Sequence, residues 1–457
     1  MPSSFGRAVV HDSRAIYPST ATQRLSFLRC CVRAYTDAAI LFALLVGVVT
    51  SPLTVANAAE SPILELTEAL RLAAADQPQI ETLHLQEQSA REAAEAEREL
   101  PDPKLAFGVQ NLPATGPDSF RLDRDEMTML SVGVMQDVVT REKRSASSAR
   151  MTAEAARLAA EADVKGREIR RDAGFAWIDA FEAQQRANAL RKLVTELSSE
   201  RAVSAERLAS SGERSSTVLA LDMEIARTRD QLFVAQRDES RARASLARWI
   251  GEHAVRPLPE HLHRDLIASA DPAKAKPASL DAHPLIQSTE HAIEVTLREA
   301  DRARADRRPD WGWQLMYGHR QDLADMVSLQ VTIGLPINRA DRQDRKLAEK
   351  LAMATAARSD LADRRRELEA QLASARADLT ASIARLREHQ ERLLPAARAR
   401  LATAEAAYAG GSGQLPDVWA ARREMVDVLL HHEMIMAEGV RALMQLEWLV
   451  GTPEMQS

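Results

Sequence analysis

The densest group of potential ligands in the sequence is HHEMIM, in which His431, His432, Met434 and Met436 offer borderline and soft donors close together. Met127, Met129 and Met135 cluster around a second, strand-like stretch. Against a metal role, adjacent histidines point to different helix faces, and methionines at helical spacing are usually core. HHEM lacks the second histidine of HExxH, and the chain has no Walker loop and no GxGxxG after a strand. The other histidines and the acidic residues are scattered, and no nucleophile and base can be paired. Cys30 and Cys31 are adjacent and are the only cysteines, so neither a CxxC motif nor a zinc spacing can be built. The expectation is a protein that is not an enzyme and needs no cofactor.

The elements around these residues point outside the cytoplasm. AAILFALLVGVV, from Ala38 to Val49, follows Arg29 and Arg33 and leads to Ala56-Asn57-Ala58, small residues at signal-peptidase spacing. Residues 1–58 are therefore predicted to be a signal peptide, cleaved near Ala58. The charge-free run from Ala38 to Leu53 is short for a membrane span of roughly 20 residues. Without residues 1–58 the chain has 55 basic and 64 acidic residues, a formal charge of −9. A cysteine-free acidic chain suits an oxidising compartment and gives no support to nucleic-acid binding. Aromatic residues make up only 4% of the chain, low for a globular protein, and the wealth of Ala, Leu, Arg and Glu suggests long packed helices.

The sequence is also written twice. Val218, Glu224, Leu246 and Ile250-Gly251 meet Val418, Glu424, Leu446 and Val450-Gly451. Upstream the register slips: DVVTREKR (137–144) meets GLPINRADR (334–342), with Arg141 on Arg339. Each half runs helix, Pro-Asp, a pair of extended segments, a very long helix, a Gly/Ser break, a return helix and glycine. The first repeat is placed at 59–252, with strands about 104–111 and 128–136 and helices about 140–210 and 216–250. A proline-rich linker at 253–281 reads as packing on the surface of something else. The second repeat is placed at 282–451, with strands about 311–318 and 326–335 and helices about 339–409 and 416–450; 452–457 form a tail.

In the last strand Val327, Leu329, Val331, Ile333 and Leu335 alternate with Ser328, Gln330, Thr332 and Gly334, so one face wants an apolar environment and the other wants water. Strands of this length fit either a membrane barrel or a hairpin packed on a helix. A seventy-residue helix extends ~105 Å at about 1.5 Å per residue, which suits a rod crossing a wide space. Leu221, Ile225 and Leu232 recur at core-forming spacing in the return helix, as in an antiparallel bundle of several chains.

An exported chain of two halves, each with a strand hairpin and a long helical hairpin, resembles the TolC family of outer-membrane efflux channels. The resemblance covers about 62 to 451 and rests on LPDPKLAF and RPDWGW, QDVVTREKR and GLPINRADR, and YAGGSGQLPDVW with its partner LASSGERSSTVLALD. It implies a mainly α protein with a small β part. Four strands per chain would trimerise into a 12-stranded outer-membrane β-barrel on an α-helical periplasmic tunnel. The implied partners are two further copies, outer-membrane lipid, a periplasmic adaptor (membrane fusion protein) and an inner-membrane RND transporter. The chain would be a passive conduit located in the outer membrane, with its helices in the periplasm.

The resemblance also assigns residues. Ser211, Gly212, Gly410, Gly411 and Gly413 would form the adaptor-docking hairpin tips, and Tyr408 and Asp417 the periplasmic gate. Gly413 and Ala420 depart from the family, whose best-known member has an arginine and a second aspartate there. Asp417, following Pro416, is equally suited to capping a helix. QDVVTREKR lies nearer the heavy-metal-efflux branch, which makes metal cations the expected cargo. Drug efflux or type I protein secretion would use the same architecture, and a periplasmic coiled coil without a pore is the alternative of a different class.

Overall fold

The computed structural model describes residues 63–451 except 76, 212–214, 263–266, 268–271 and 273–276. The expected signal peptide, Gly212 and the tail from 452 lie outside the described residues. Two short helices, α1 (Leu66–Ala75) and α2 (Pro78–Ala96), lead into strand β1 (Lys104–Gln110) and strand β2 (Met129–Val138). Helix α3 (Arg141–Ser211) and its return helix α4 (Ser215–Ile250) follow. The second half repeats the order with α5 (Pro284–Ala305), β3 (Trp311–His319), β4 (Met326–Ile333), α6 (Gln343–Glu388), α7 (Leu394–Ala409) and α8 (Leu415–Val450). Gly251 and Gly451 stop the two return helices with φ of 61° and 64°, left-handed values that glycine adopts without a Cβ clash.

The two hairpins form one antiparallel sheet of order β1-β2-β3-β4. Lys104 faces Met135, Val138 faces Trp311, and Trp311 faces Ile333. The pleat separates two faces. Leu105, Phe107, Val109, Leu130, Val132, Val134, Leu315, Tyr317, Val327, Leu329, Val331 and Ile333 share one of them, all exposed, Phe107 at 83% and Val327 at 71%. Gln110, Ser131, Gln314, Ser328, Gln330 and Thr332 share the other. Among the described residues no helix covers this apolar face.

The second long helix differs from its expected span of 339–409. Asn338–Arg342 make turns, and the helix starts at Gln343. It is then broken by a π turn, His389–Leu393, in which the Leu394 N–H reaches back to the His389 carbonyl. Pro395 supplies the cause, because it has no N–H and its ring would strike the carbonyl four residues back; the wider turn relieves both faults.

The core lies where α1, α3, α4, α5, α6 and α8 meet, around the stacked rings of Trp177 and Phe181, 5.7 Å apart. The Trp177 indole N–H donates to the Leu64 carbonyl at 3.0 Å. The described part of the linker packs on the bundle. Its Leu258, Leu262, Ile267 and Leu280 are buried within this core. Among the described residues no helix is long and apolar enough to cross a membrane.

Candidate functional site

Three places among the described residues gather polar side chains, and at the first two these join the halves of the chain. The first is the turn between α7 and α8. The N–H groups of Ser412 and Gly413 donate to the Ala407 carbonyl at 3.0 and 2.9 Å, closing the break that began with Tyr408-Ala409-Gly410. Gly411 has φ of 73°. A Cβ at Gly413 would lie 3.0 Å from both the Ala407 Cβ and the Tyr408 nitrogen, so a side chain there would require the turn to give by a few tenths of an ångström.

Tyr408 is half-buried and packs on a cluster of Leu193, Leu197, Leu221, Ile225, Leu415 and Trp419, drawn from α3, α4 and α8. Its hydroxyl accepts a hydrogen bond from Arg207 Nη1 at 2.8 Å. Asp417 is exposed and forms a capping box with Gln414 at the start of α8, accepting from the Gln414 N–H at 3.4 Å. The capping reading of Asp417 is thus present in the structure, and the side chain still faces solvent. Around the same end Arg423 pairs with Glu224 at 2.8 Å, joining α8 to α4 across the repeats. Ser211 is the last residue of α3.

The second place is the junction between sheet and helices. Lys143, buried in the first turn of α3, reaches Asp310 at 2.7 Å and Asp306 at 3.7 Å. Asp310 also accepts from the Thr140 N–H at 3.5 Å. The Pro-Asp of the second half therefore anchors the strand-to-helix junction of the first.

The third place holds the histidines. His389, at the π turn, lies 5.0 Å from His431 and 6.3 Å from His432, ring centre to ring centre. Burial lowers the His389 pKa, and His431 and Arg385 lower it further. His431 and Met434 are exposed, whereas His432 and Met436 are buried, so the four candidate ligands of HHEMIM do not share one side of α8. His431 and Met434 border a groove of about 540 Å³ with Asp179, Glu182, Asp238 and Asp427. Among the described residues no three His, Cys, Asp or Glu side chains are disposed to hold a metal ion.

The sequence reading missed Arg207, Lys143 and His389. Arg207 had a usable signal, since it lies one repeat length before the Ala407-Tyr408 pair; the other two sat in unremarkable basic and polar runs.

Residues 277–452 match the family model described as outer membrane efflux protein. The fold is similar to that of CusC, at 14% identity and a TM-score of 0.70, over 86% of this chain and 93% of that one. A membrane protein from Pseudomonas aeruginosa gives 15% identity and a TM-score of 0.70, over 86% and 94%. The open state of the Neisseria gonorrhoeae MtrE outer membrane channel gives 18% and 0.64, over 86% and 91%. No curated protein matches the sequence.

Proposed function

We propose that the chain, whose residues 277–452 match the family model described as outer membrane efflux protein, is a TolC-family channel of the outer membrane serving a tripartite efflux pump. Three copies form a 12-stranded barrel over a helical periplasmic tunnel, and an adaptor and an inner-membrane RND transporter deliver the cargo. The energy comes from the transporter, and this chain is a passive conduit.

The observation that carries the reading is the sheet: twelve exposed apolar side chains share one face, Gln110, Ser131, Gln314, Ser328, Gln330 and Thr332 share the other, and β1 and β4 are its edges. In lipid every backbone N–H and C=O must find a partner, which an open four-stranded sheet cannot arrange and a closed barrel can. The test is reconstitution of purified protein in planar bilayers. The channel reading expects stable single-channel steps and heat-modifiable migration on gels; a soluble protein with no conductance would sink it.

For the cargo, the proposed class is heavy-metal cations. Met129, Met135, Met316 and Met326 all lie on the face opposite the apolar one, where a barrel holds water. Thioethers facing water suit soft cations. A strain deleted for this channel, with adaptor and pump intact, should lose tolerance to soft metal ions. Unaltered metal tolerance with lost drug tolerance would assign the cargo to drugs.

The proposed gate is Tyr408 with Asp417, and the proposed docking tips are Ser211, Gly212, Gly410, Gly411 and Gly413. The support is the fold-back of α7 on α8 at the end of the long helices farthest along the chain from the strands. Bulky substitutions at Gly410 or Gly411 should abolish pump-dependent resistance while leaving the protein in the membrane; full resistance would count against docking there.

A further inference from the structure

We propose the residue register in which β4 of one copy pairs with β1 of the next, a proposal that rests on the barrel reading above and adds to it. Ile333 stands opposite the next copy's Leu105, Val331 opposite its Phe107, and Leu329 opposite its Val109.

The argument starts from the internal repeat. MLSVGVMQ in β2 and MVSLQVTI at the end of the second hairpin align without a gap from Met129 on Met326, matching Ser131 with Ser328 and Val134 with Val331. The Pro-Asp pairs put Asp102 on Asp310, and hence Leu105 on Trp313 and Val109 on Tyr317. The hairpins test both alignments independently. Leu105 faces Val134 in the first, and their counterparts Trp313 and Val331 face each other in the second. Val109 and Leu130 likewise correspond to Tyr317 and Val327, which also face each other.

Within the sheet the two halves meet once, β2 with β3, where Gln136 faces Trp313, Val134 faces Leu315 and Val132 faces Tyr317. In a ring of alternating halves, the next contact joins β4 to β1 of a second copy. Replacing each β2 residue by its β4 counterpart and each β3 residue by its β1 counterpart gives the stated register. The two edges run antiparallel, as β2 and β3 do.

Two further observations agree with it. The register places apolar face against apolar face, Ile333, Val331 and Leu329 against Leu105, Phe107 and Val109, whereas a slip of one residue would put every apolar side chain opposite a water-facing one. The helices show the same unfilled neighbour relation. Trp419 of α8 is buried against Leu193 of α3, yet its counterpart Leu219 on α4 is 64% exposed, and Leu393, the counterpart of Leu193, is exposed as well. A second copy supplies the missing cover to both. Exposed apolar positions on α4 and at the end of the π turn are thus interface positions waiting for the same partner as the strand edges.

Disulfide trapping tests the register in a Cys30→Ser, Cys31→Ser background. Directly opposed pairs alternate between narrow and wide spacing, so two neighbouring pairs are needed. These are Phe107→Cys with Val331→Cys, and Ala106→Cys with Thr332→Cys. The comparison pairs are shifted by two: Phe107→Cys with Leu329→Cys, and Phe107→Cys with Ile333→Cys. After mild oxidation of the membrane-inserted protein, at least one in-register pair should give covalent dimer and trimer at ten times or more the yield of either shifted pair. More efficient trapping of a shifted pair, in protein that still migrates as a heat-modifiable trimer, would overturn the register and leave the barrel intact. Protein that inserts as a monomer would overturn the barrel reading and this register with it.

Discussion

Arg207 donates a hydrogen bond to the hydroxyl of Tyr408 at 2.8 Å, across 201 positions of sequence and between the two halves of the chain. The bond ties the end of α3 to the end of α7, next to the apolar cluster around Trp419. If the tips close the channel, this contact is one that must loosen on opening. A hydrogen bond to a charged, exposed donor contributes about 1 kcal/mol, roughly fivefold in the ratio of closed to open channels. Arg207→Ala and Tyr408→Phe should each raise open probability in bilayers by about that factor. Because both substitutions remove this same bond, the double variant should open less than the two single effects combined. Additive effects would mean that the two side chains act separately.

Asp417 has two roles that one substitution cannot separate, a cap on α8 and a charge facing solvent. Asp417→Asn keeps an oxygen able to accept from the Gln414 N–H and removes the charge. Asp417→Ala removes both, at a cost of about 1 kcal/mol to the helix start. The gate proposal expects both variants to lose cation preference in reversal-potential measurements, with only the alanine variant lowering thermal stability. Cation preference that survives in Asp417→Asn would reduce this residue to its capping role.

What could be read in the sequence follows from period and spacing. The alternation from Val327 to Ile333 marked a two-faced strand because nothing else produces that period, and Pro416 before Asp417 marked a helix start. The linker could not be read this way. Leu258, Leu262, Ile267 and Leu280 have no common period, and only the assembled bundle shows the core positions they fill. The π turn was hidden for a related reason: Pro395 announces a fault in a helix without saying whether the chain will kink, stop or widen. Arg207 and Lys143 find their partners in the other half, so only the repeat, applied residue by residue, could have suggested them.

Lys143 offers a test of how the halves are joined. Its ammonium is buried while Asp310 is half-exposed, which makes the pair worth less than a fully buried one and more than a surface one. Lys143→Met keeps most of the buried stem and removes the charge, leaving Asp310 to the Thr140 N–H and solvent. The expected loss is about 1 to 2 kcal/mol. It should appear as a lower temperature for dissociation of the gel-stable trimer, with conductance unchanged in channels that remain assembled. A shift in conductance without a change in stability would assign the pair to the pore.

His283 makes stability depend on pH. It is 1% exposed, its Nδ1 accepts from the Leu285 N–H at 3.1 Å, and its Nε2 therefore carries the proton that it donates to the Trp448 carbonyl at 3.0 Å. Burial lowers its pKa from 6.5 to about 4; the Trp448 bond opposes the shift, and Arg167 adds to it. The folded protein thus favours the neutral ring. Stability is highest above pH 6.5 and falls by up to about 3 kcal/mol as pH drops from 6.5 towards 4, where the unfolded chain binds the proton that the folded one excludes. His283→Asn can still cap α5 through its side-chain oxygen but cannot titrate. Its unfolding midpoint in denaturant should fall less than that of the unsubstituted protein between pH 6.5 and 4, with the two profiles parallel above pH 7. Parallel profiles across the whole range would show that protonation of His283 is not what weakens the bundle in acid.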